Sequence, residues 1–554
     1  MALQISEPSA FYGVPWTQAE LALAHKAIAL GASDVGGPLS KEEQTLTTAA
    51  AHAFLLDPGE LRDLQQAIHA GLDPLGDGLI LARPQTERRL MGQVFTPGTL
   101  IGPMVEWLID QRPTRVVDAG CGSGRFALAM GRQSKAEVLA IDNDPVATLL
   151  TRASLAILGV KSARVFHGDY TNAELPVHEG KTAFVGNPPY VRHHNLTPKA
   201  KAWAQAAARR LGVGISGLAG LHAYFFLATA LHGRLGDVGC FVTSSEWLDV
   251  NYGEVIRQLL LDGLGGRSIH VVDAKALPFD SAATTAAITC FELGSKPTSI
   301  KLRLLDDTKA LSPLTAGNAI TRERLQEAQR WMPLIRTKPR IPEGYVELGE
   351  LCRVHRGTVT GANAIWVLDA DAVSEIPERY LLASVTRARE LITAGTRLER
   401  AHANSLRRVI DLPKDLDELD RAELPLVEGF LKHAKAQGVA EGYVAQNRKA
   451  WWSVGMRDAA PILGTYMARR APAFVRNIAE ARHINIAHGI YPREPMPQLA
   501  LDRLAAVLRD SVDIGLGRTY SGGLVKFEPR EMERIPVPSL ERLLDDASEP
   551  ASLG

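Results

Sequence analysis

Cysteine is scarce in this chain. Cys121, Cys240, Cys290 and Cys352 are scattered through 554 residues, and no two of them form a CxxC pair. That spacing argues against a disulfide framework and against a structural zinc site, so reduced, partly buried thiols and no metal are expected. Long apolar runs are also missing. No stretch approaches the roughly 18 uncharged apolar residues of a membrane span, and the opening MALQISEPSAFYGV lacks the basic patch and apolar run of a secretory signal. A soluble, cytoplasmic protein is the expectation. Net charge is absent too, because 62 basic residues balance 62 acidic ones. Whole-domain basicity, the usual footprint of a nucleic-acid binder, is therefore lacking, although a cleft can concentrate positive charge locally. There is no internal repeat and no low-complexity tract. What is present, 46% hydrophobic and 22% charged residues, suits a globular chain with two or three sizeable cores.

The chain divides by texture. Residues 1–85 read as a helical segment, with apolar residues at helical spacing over Gln18–Ala27 and again over Ser40–Leu56. Leu72–Gly78 breaks that pattern and suits a linker. From 86 to 300, short β-branched runs alternate with helix-like stretches. Arg115–Asp118, Glu137–Asp142, Ala163–Asp169, Thr182–Gly186, Cys240–Ser244, Ser268–Asp273 and Thr285–Leu293 each read as a buried strand. Such alternation predicts an α/β fold, a mostly parallel, doubly wound, Rossmann-like sheet. Residues 301–540 are of mixed α/β character, and 541–554 form a polar tail.

The first strand runs into Asp118-Ala-Gly120-Cys-Gly122-Ser-Gly124 and then a helix-like stretch from Arg125. Glycines there let the chain turn tightly and let a ligand approach the backbone. A carboxylate at Asp118 would repel a pyrophosphate and would welcome the amino group of a methionine moiety. Asp142 and Asn143 end the second strand, where a carboxylate can accept both hydroxyls of a ribose. Asp169 and Tyr170 end the third, where an adenine amino group can sit. Acids at strand ends also cap the following helices. Three at successive strand ends behind a glycine turn point to an S-adenosylmethionine site.

After the fourth strand comes Asn187-Pro188-Pro189-Tyr190. An amine conjugated to a purine is a poor nucleophile because its lone pair is delocalised. Two acceptors on its N–H groups favour a pyramidal nitrogen, and the Asn187 side-chain oxygen and the Pro188 carbonyl can serve as both. Proline at 188 and 189 fixes φ and removes competing donors, while Tyr190 can stack on a base turned out of its helix. This loop resembles the fourth motif of the amino-methyltransferases of DNA. Upstream, Gly92–Pro97 resembles their tenth motif, which implies that Thr96 and Pro97 pack against the cofactor. Downstream, Leu277-Pro278-Phe279-Asp280 resembles their eighth, which implies that Phe279 stacks on the second face of the base.

That motif order resembles the gamma class of N6-adenine-specific enzymes, of the TaqI and Eco57I kind. It implies a class I methyltransferase domain followed by a target-recognition domain, acting on double-stranded DNA at the nucleoid. Arg353–Asn363, Lys449–Trp452 and Gly517–Pro529 resemble segments of such recognition domains. The implied DNA-contacting residues are Arg192, His193 and His194 beside the catalytic loop, and Thr360, Asn363, Arg387, Arg389, Arg448, Lys449, Arg518 and Lys526 beyond it. The Trp451–Trp452 pair can be core or DNA wedge. Residues 1–85 match no named pattern and can serve a homodimer interface. A modification enzyme is expected. The alternatives are a bifunctional restriction–modification chain, for which the strand-borne Asp and Glu-x-Lys of a nuclease are not found in the first 85 residues, and an RNA or protein-glutamine N-methyltransferase with the same loop.

Overall fold

A computed structural model describes residues 16–51, 56–273, 279, 285–335, 341–372, 374–468, 471–512, 517–520 and 524–545. Chain contacts divide it into two units, with the boundary between 338 and 339.

The first unit opens with helices α1 (Gln18–Ala29), α2 (Lys41–Ala50), α3 (Pro58–His69) and α4 (Pro74–Ala82). Each begins where a side chain satisfies the free N–H groups of its first turn: capping boxes at Thr17/Glu20 and Ser40/Glu43, and single caps at Asp57 and Asp73. The linker expected at Leu72–Gly78 is therefore the start of a helix. Its glycines and proline masked a signature that is itself helical, an aspartate cap followed by proline at the first position. Helices α5 (Gln85–Leu90) and α6 (Gly98–Asp110) lead into strand β1 (Arg115–Ala119). Helix α7 (Arg125–Gln133), β2 (Glu137–Asp142), α8 (Pro145–Ile157), β3 (Arg164–His167) and β4 (Thr182–Gly186) follow. Then come α9 (Pro198–Arg210), α10 (Leu221–His232), β5 (Val238–Ser244), α11 (Glu254–Leu261), β6 (Gly266–Val272), β7 (Ala286–Glu292), β8 (Ser299–Leu305) and β9 (Asn318–Thr321).

The strands form one sheet in the order β3-β2-β1-β4-β5-β7-β6-β8-β9. Pairing is parallel from β3 through β5, and β7 lies antiparallel between β5 and β6. The expected α/β class is thus observed, with each expected strand in place. The expected boundary at 300 is not: β8 and β9 extend the sheet through Thr321, β8 pairing parallel to β6 and β9 antiparallel to β8. Their half-exposed pattern lacks the all-apolar signal of the central strands, so they read as a different texture.

The N-terminal helices belong to this unit as well. Helix α8 is buried nearly all round. Val146, Leu149, Leu150 and Ala153 share a core with Ala24, Ala27, Leu46 and Ile68 of α1, α2 and α3. Three buried ion pairs, made by two arginines, fasten the layer. Arg152 of α8 donates from Nε to Glu43 at 2.9 Å and also reaches the carbonyls of Val35, Gly37, Pro38 and Val165. Arg83 bridges Glu20 at 2.8 Å and Asp144, the cap of α8. Removing one member of such a pair strands the other charge in the core. Arg152→Met should therefore lower stability by about 3–5 kcal/mol. Urea denaturation would show this as a lower midpoint at unchanged slope, and an unchanged midpoint would make the pair dispensable.

The second unit is built on short sheets. Its five-stranded sheet runs in the order Cys352–Arg356, Ala487–Pro492, Ile462–Thr465, Phe474–Asn477 and Arg397–Leu398. A four-stranded one joins Val367–Leu368, Arg408–Ile410, Leu381–Val385 and Arg482–His483. Helix Gln498–Ser511 packs Ala500, Leu504 and Leu508 into a core with Cys352, Ile462 and Phe474. Leu540–Leu544 is a short helix whose Leu543 enters that core, so residues 541–544 of the expected tail are helical. Trp451 and Trp452 belong to a core cluster with Trp366, and the Trp452 indole donates to the Pro413 carbonyl at 3.0 Å. Both are half-buried and pack against that core. All four cysteines are free and buried. Among the described residues no helix is long and apolar enough to cross a membrane.

Candidate active site

At the carboxyl ends of β1, β2, β3 and β4 the first unit holds a cleft whose walls include Gly120–Ser123, Asp142, Asn143, Asp169, Tyr170, Asn187 and Pro189. Leu90–Thr96 form another part of its wall. Gly120, Gly122 and Gly124 all adopt positive φ. A Cβ on Gly122 would meet nothing within 4 Å, so this turn leaves its space to the cleft.

The acids at the strand ends have different tasks. Asp142 lies on the cleft wall and accepts from the backbone N–H of Gly122 at 2.7 Å and of Asp144 at 3.0 Å. Burial, helped by the nearby Asp144 charge, pushes its carboxyl up to about 6, against those two hydrogen bonds. Asp118 is wholly buried behind the turn and is not on the cleft wall. One oxygen accepts from the Ala127 N–H at 2.9 Å, the other has no hydrogen-bond partner, and burial pushes the carboxyl up to about 7. Asp118 thus ties α7 to β1 in place of facing a ligand directly. Asp169 lines the cleft, yet its oxygens serve the local turn, accepting from Thr171 and Asn172. The capping reading describes it in this state. Tyr170 is buried, its hydroxyl bonded to Thr229 at 2.8 Å.

The loop after β4 sits against the Gly92–Pro97 segment. Tyr190 N–H donates to the Gly92 carbonyl at 2.9 Å, and a Cβ on Gly92 would fall 2.6 Å from the Tyr190 nitrogen. Only glycine allows that approach. The Asn187 amide nitrogen donates to the Val94 carbonyl at 2.8 Å and to Thr96 Oγ1 at 3.1 Å. A backbone carbonyl only accepts, so the NH₂ end of the amide must face it, and this orientation sends Oδ1 the other way. Oδ1 is buried and has no hydrogen-bond partner among the described residues. A buried orphan acceptor costs about 1–3 kcal/mol, which an incoming N–H group would relieve.

Tyr190 and Phe279 do come together, but not as expected. Their rings meet edge to face, 6.2 Å apart at 86°, and Phe279 is buried. A base held between two aromatic faces needs parallel rings with a slot between them, and this arrangement has none. Thr96 is on the cleft wall, whereas Pro97 caps α6 and is not. Arg192 and His194 are exposed beside the loop, with the His193 and His194 rings in contact at 5.3 Å.

Known proteins of similar sequence decide the family. The chain is 46% identical over 516 residues to the type II methyltransferase M.XamI of Xanthomonas campestris pv. amaranthicola, covering 91% of this chain and 95% of that one. The chain belongs to the gamma-class type II DNA methyltransferases. The type II methyltransferase M.AccI of Acinetobacter calcoaceticus is 22% identical over 81% of this chain and 85% of its own. Residues 333–552 match the family described as the C-terminal domain of type II methyltransferase M.Eco57I, and 116–214 match a methyltransferase domain. The fold is also similar to that of the type IIL restriction–modification enzyme MmeI solved with DNA, at TM-score 0.50 and 13% identity, over 92% of this chain and 79% of that one.

The cofactor of this methyltransferase is S-adenosylmethionine, and the cleft fits it. The open space over Gly122 leaves room for a ligand to approach the backbone, and Asp142 is a cleft-wall carboxylate that would take the cofactor's ribose. Tyr224 and Phe225 of α10 add aromatic wall. Their sequence signal, an apolar helix after the Asn187 loop, does not differ from that of core. Arg125 was also missed, for it reads as an ordinary helix residue.

The methyltransferase's second unit sorts its expected DNA contacts. Arg387, Arg389, Lys449 and Asn363 are exposed. Thr360 is buried and its hydroxyl bonds Asn363. Arg448 donates to the Val359 carbonyl at 2.5 Å, and burial lowers its pKa. Lys526 pairs with Glu528 at 2.6 Å and lies over the Tyr466 ring. Long basic side chains pack as readily as they bind phosphate, and here these two brace the unit. Arg518 lies in a described strand, Arg518–Tyr520, but its side chain is outside the described atoms.

Proposed function

We propose that this enzyme methylates the N6 amino group of a specific adenine in double-stranded DNA, on a base turned out of the helix, and that it is a modification enzyme. The orphaned Asn187 Oδ1 carries the reading: an acceptor fixed in orientation, buried beside the cofactor cleft, at the place where an aromatic amine must be activated. Asn187 accepts one N–H of the amine, and the Pro188 carbonyl would accept the other. S-adenosylmethionine supplies the electrophilic methyl. The two carbonyl-type acceptors draw the nitrogen lone pair out of conjugation and align it. Tyr190 stacks on the base, which requires its present contact with Phe279 to open. The second unit reads the site, with Arg387, Arg389 and Lys449 holding phosphates or base edges. Coverage of nearly all of M.XamI supports a modification enzyme.

Product analysis tests it. DNA methylated with labelled cofactor, digested to nucleosides and separated by mass should yield N6-methyladenine. N4-methylcytosine, or label in RNA or glutamine instead of DNA, would overturn the assignment.

A further inference from the structure

Arg125 stands at the first position of α7, directly after the glycine turn. A cation there opposes the positive end of the helix dipole, so helix stability does not explain it. Its contacts do. Nε donates to Asp73 at 2.7 Å, Nη2 to Asp77 at 2.7 Å, and Nη1 to the Thr96 carbonyl at 3.1 Å, with the guanidinium 5.4 Å from the Phe95 ring centroid. Asp73 also accepts from the hydroxyl of Ser123 inside the turn, at 2.6 Å. Burial raises the Asp73 carboxyl, and the Arg125 charge pulls it back down. Helix α4 is pressed so closely here that a Cβ on Gly76 would lie 2.4 Å from Ser123 Oγ. Thr96 is the residue whose hydroxyl holds the Asn187 amide. One planar fork thus joins the N-terminal helices, the cofactor turn and the segment that orients Asn187.

We infer that Arg125, braced by Asp73, is a positioning residue that holds Thr96 in place and through it aims the Asn187 amide. The inference rests on Asn187 being the catalytic acceptor. It gives the N-terminal helices a part in methyl transfer, although none of their side chains need touch the base. An Arg guanidinium suits the task because three donors in a rigid plane fix three partners at once. Lysine has no such fork.

The test is a double-substitution cycle on the full chain, reading single-turnover methyl transfer at saturating cofactor and DNA, cofactor affinity by calorimetry, and thermal midpoint. Arg125→Gln and Thr96→Val should each slow transfer at saturating cofactor at least tenfold, a loss that further cofactor does not recover. The double variant should be no slower than the slower single one. Thr96→Ser, which keeps the hydroxyl, should restore most of the rate. Arg125→Lys keeps the charge on Asp73 without the fork, and should remain slow even where Arg125→Gln fails to fold. Multiplying losses in the double variant, or weaker cofactor binding with an unchanged saturated rate, would overturn the inference. Asn187→Ala is assayed alongside. If it is inactive while the Arg125 variants are normal, the strut fails and the catalytic reading stands; if it is fully active, the catalytic reading itself fails.

Discussion

Asn187→Ala should reduce methyl transfer by a factor on the order of 10²–10³ or more, the loss typical of removing one preorganised polar group that meets the reacting centre. The substitution deletes the oriented acceptor and its two anchoring donors to Val94 and Thr96 together. It removes no apolar core and no charge. Losing the orphaned Oδ1 removes one cost, while losing the amide hydrogen bonds to Val94 and Thr96 adds another of similar size, so a thermal midpoint close to that of the parent is expected. DNA affinity should persist, because phosphate contacts supply most of it. Quench-flow measurement with saturating cofactor separates the chemical step from binding. A variant with the parental rate would show that another group activates the amine.

Asp142→Ala should weaken S-adenosylmethionine binding by roughly 10- to 100-fold, the equivalent of the ~1.5–3 kcal/mol that hydrogen bonds to a charged group contribute. In the free protein the same carboxylate gathers the N–H groups of Gly122 and Asp144, so part of the loss would come from a slacker turn. Acidity separates the two contributions. Burial places the Asp142 carboxyl at about 6, so it is ionised at neutral pH and becomes protonated as pH falls through 6. A protonated carboxyl can no longer accept from two ribose hydroxyls at once. Affinity should therefore fall below pH 6, by up to about tenfold per unit where one proton must leave for binding. Asp118, at about 7, titrates nearby but is off the cleft wall. Asp142→Asn should remove the step near 6 while retaining side-chain volume. Calorimetry between pH 5 and 7.5 decides it. A flat profile in the parent, or unaltered affinity in Asp142→Ala, would place the ribose elsewhere.

These expectations rest on features of unequal legibility. The strands β1 to β7 were readable to within about two residues at each end, because strands of a covered parallel sheet carry short apolar, β-branched runs. The glycine turn, Asp142 and the Asn187 loop were readable too, since each occupies a strand end at which chemistry constrains residue type. Family membership followed from the order of those segments.

Partnership was another matter. Asp118, Asp142 and Asp169 look alike along the chain, yet Asp118 ties a helix to its strand behind the cleft, while Asp142 and Asp169 line it and Asp169 also caps a turn. Arg448 and Lys526 read as phosphate contacts, and in the free protein they hold the Val359 carbonyl and Glu528, partners that no local pattern encodes. Residues 1–85 carried no motif, and the capping roles of Glu20 and Glu43 emerged only with the fold. Their buried partners Arg83 and Arg152 lie 63 and 109 residues away, and no local pattern encodes such a pairing. Periodicity reports which face of an element is buried. Which charge meets which, and so which acid is free for a ligand, depends on packing between segments distant in sequence, and that was settled only when α4 and α8 closed around the cofactor turn.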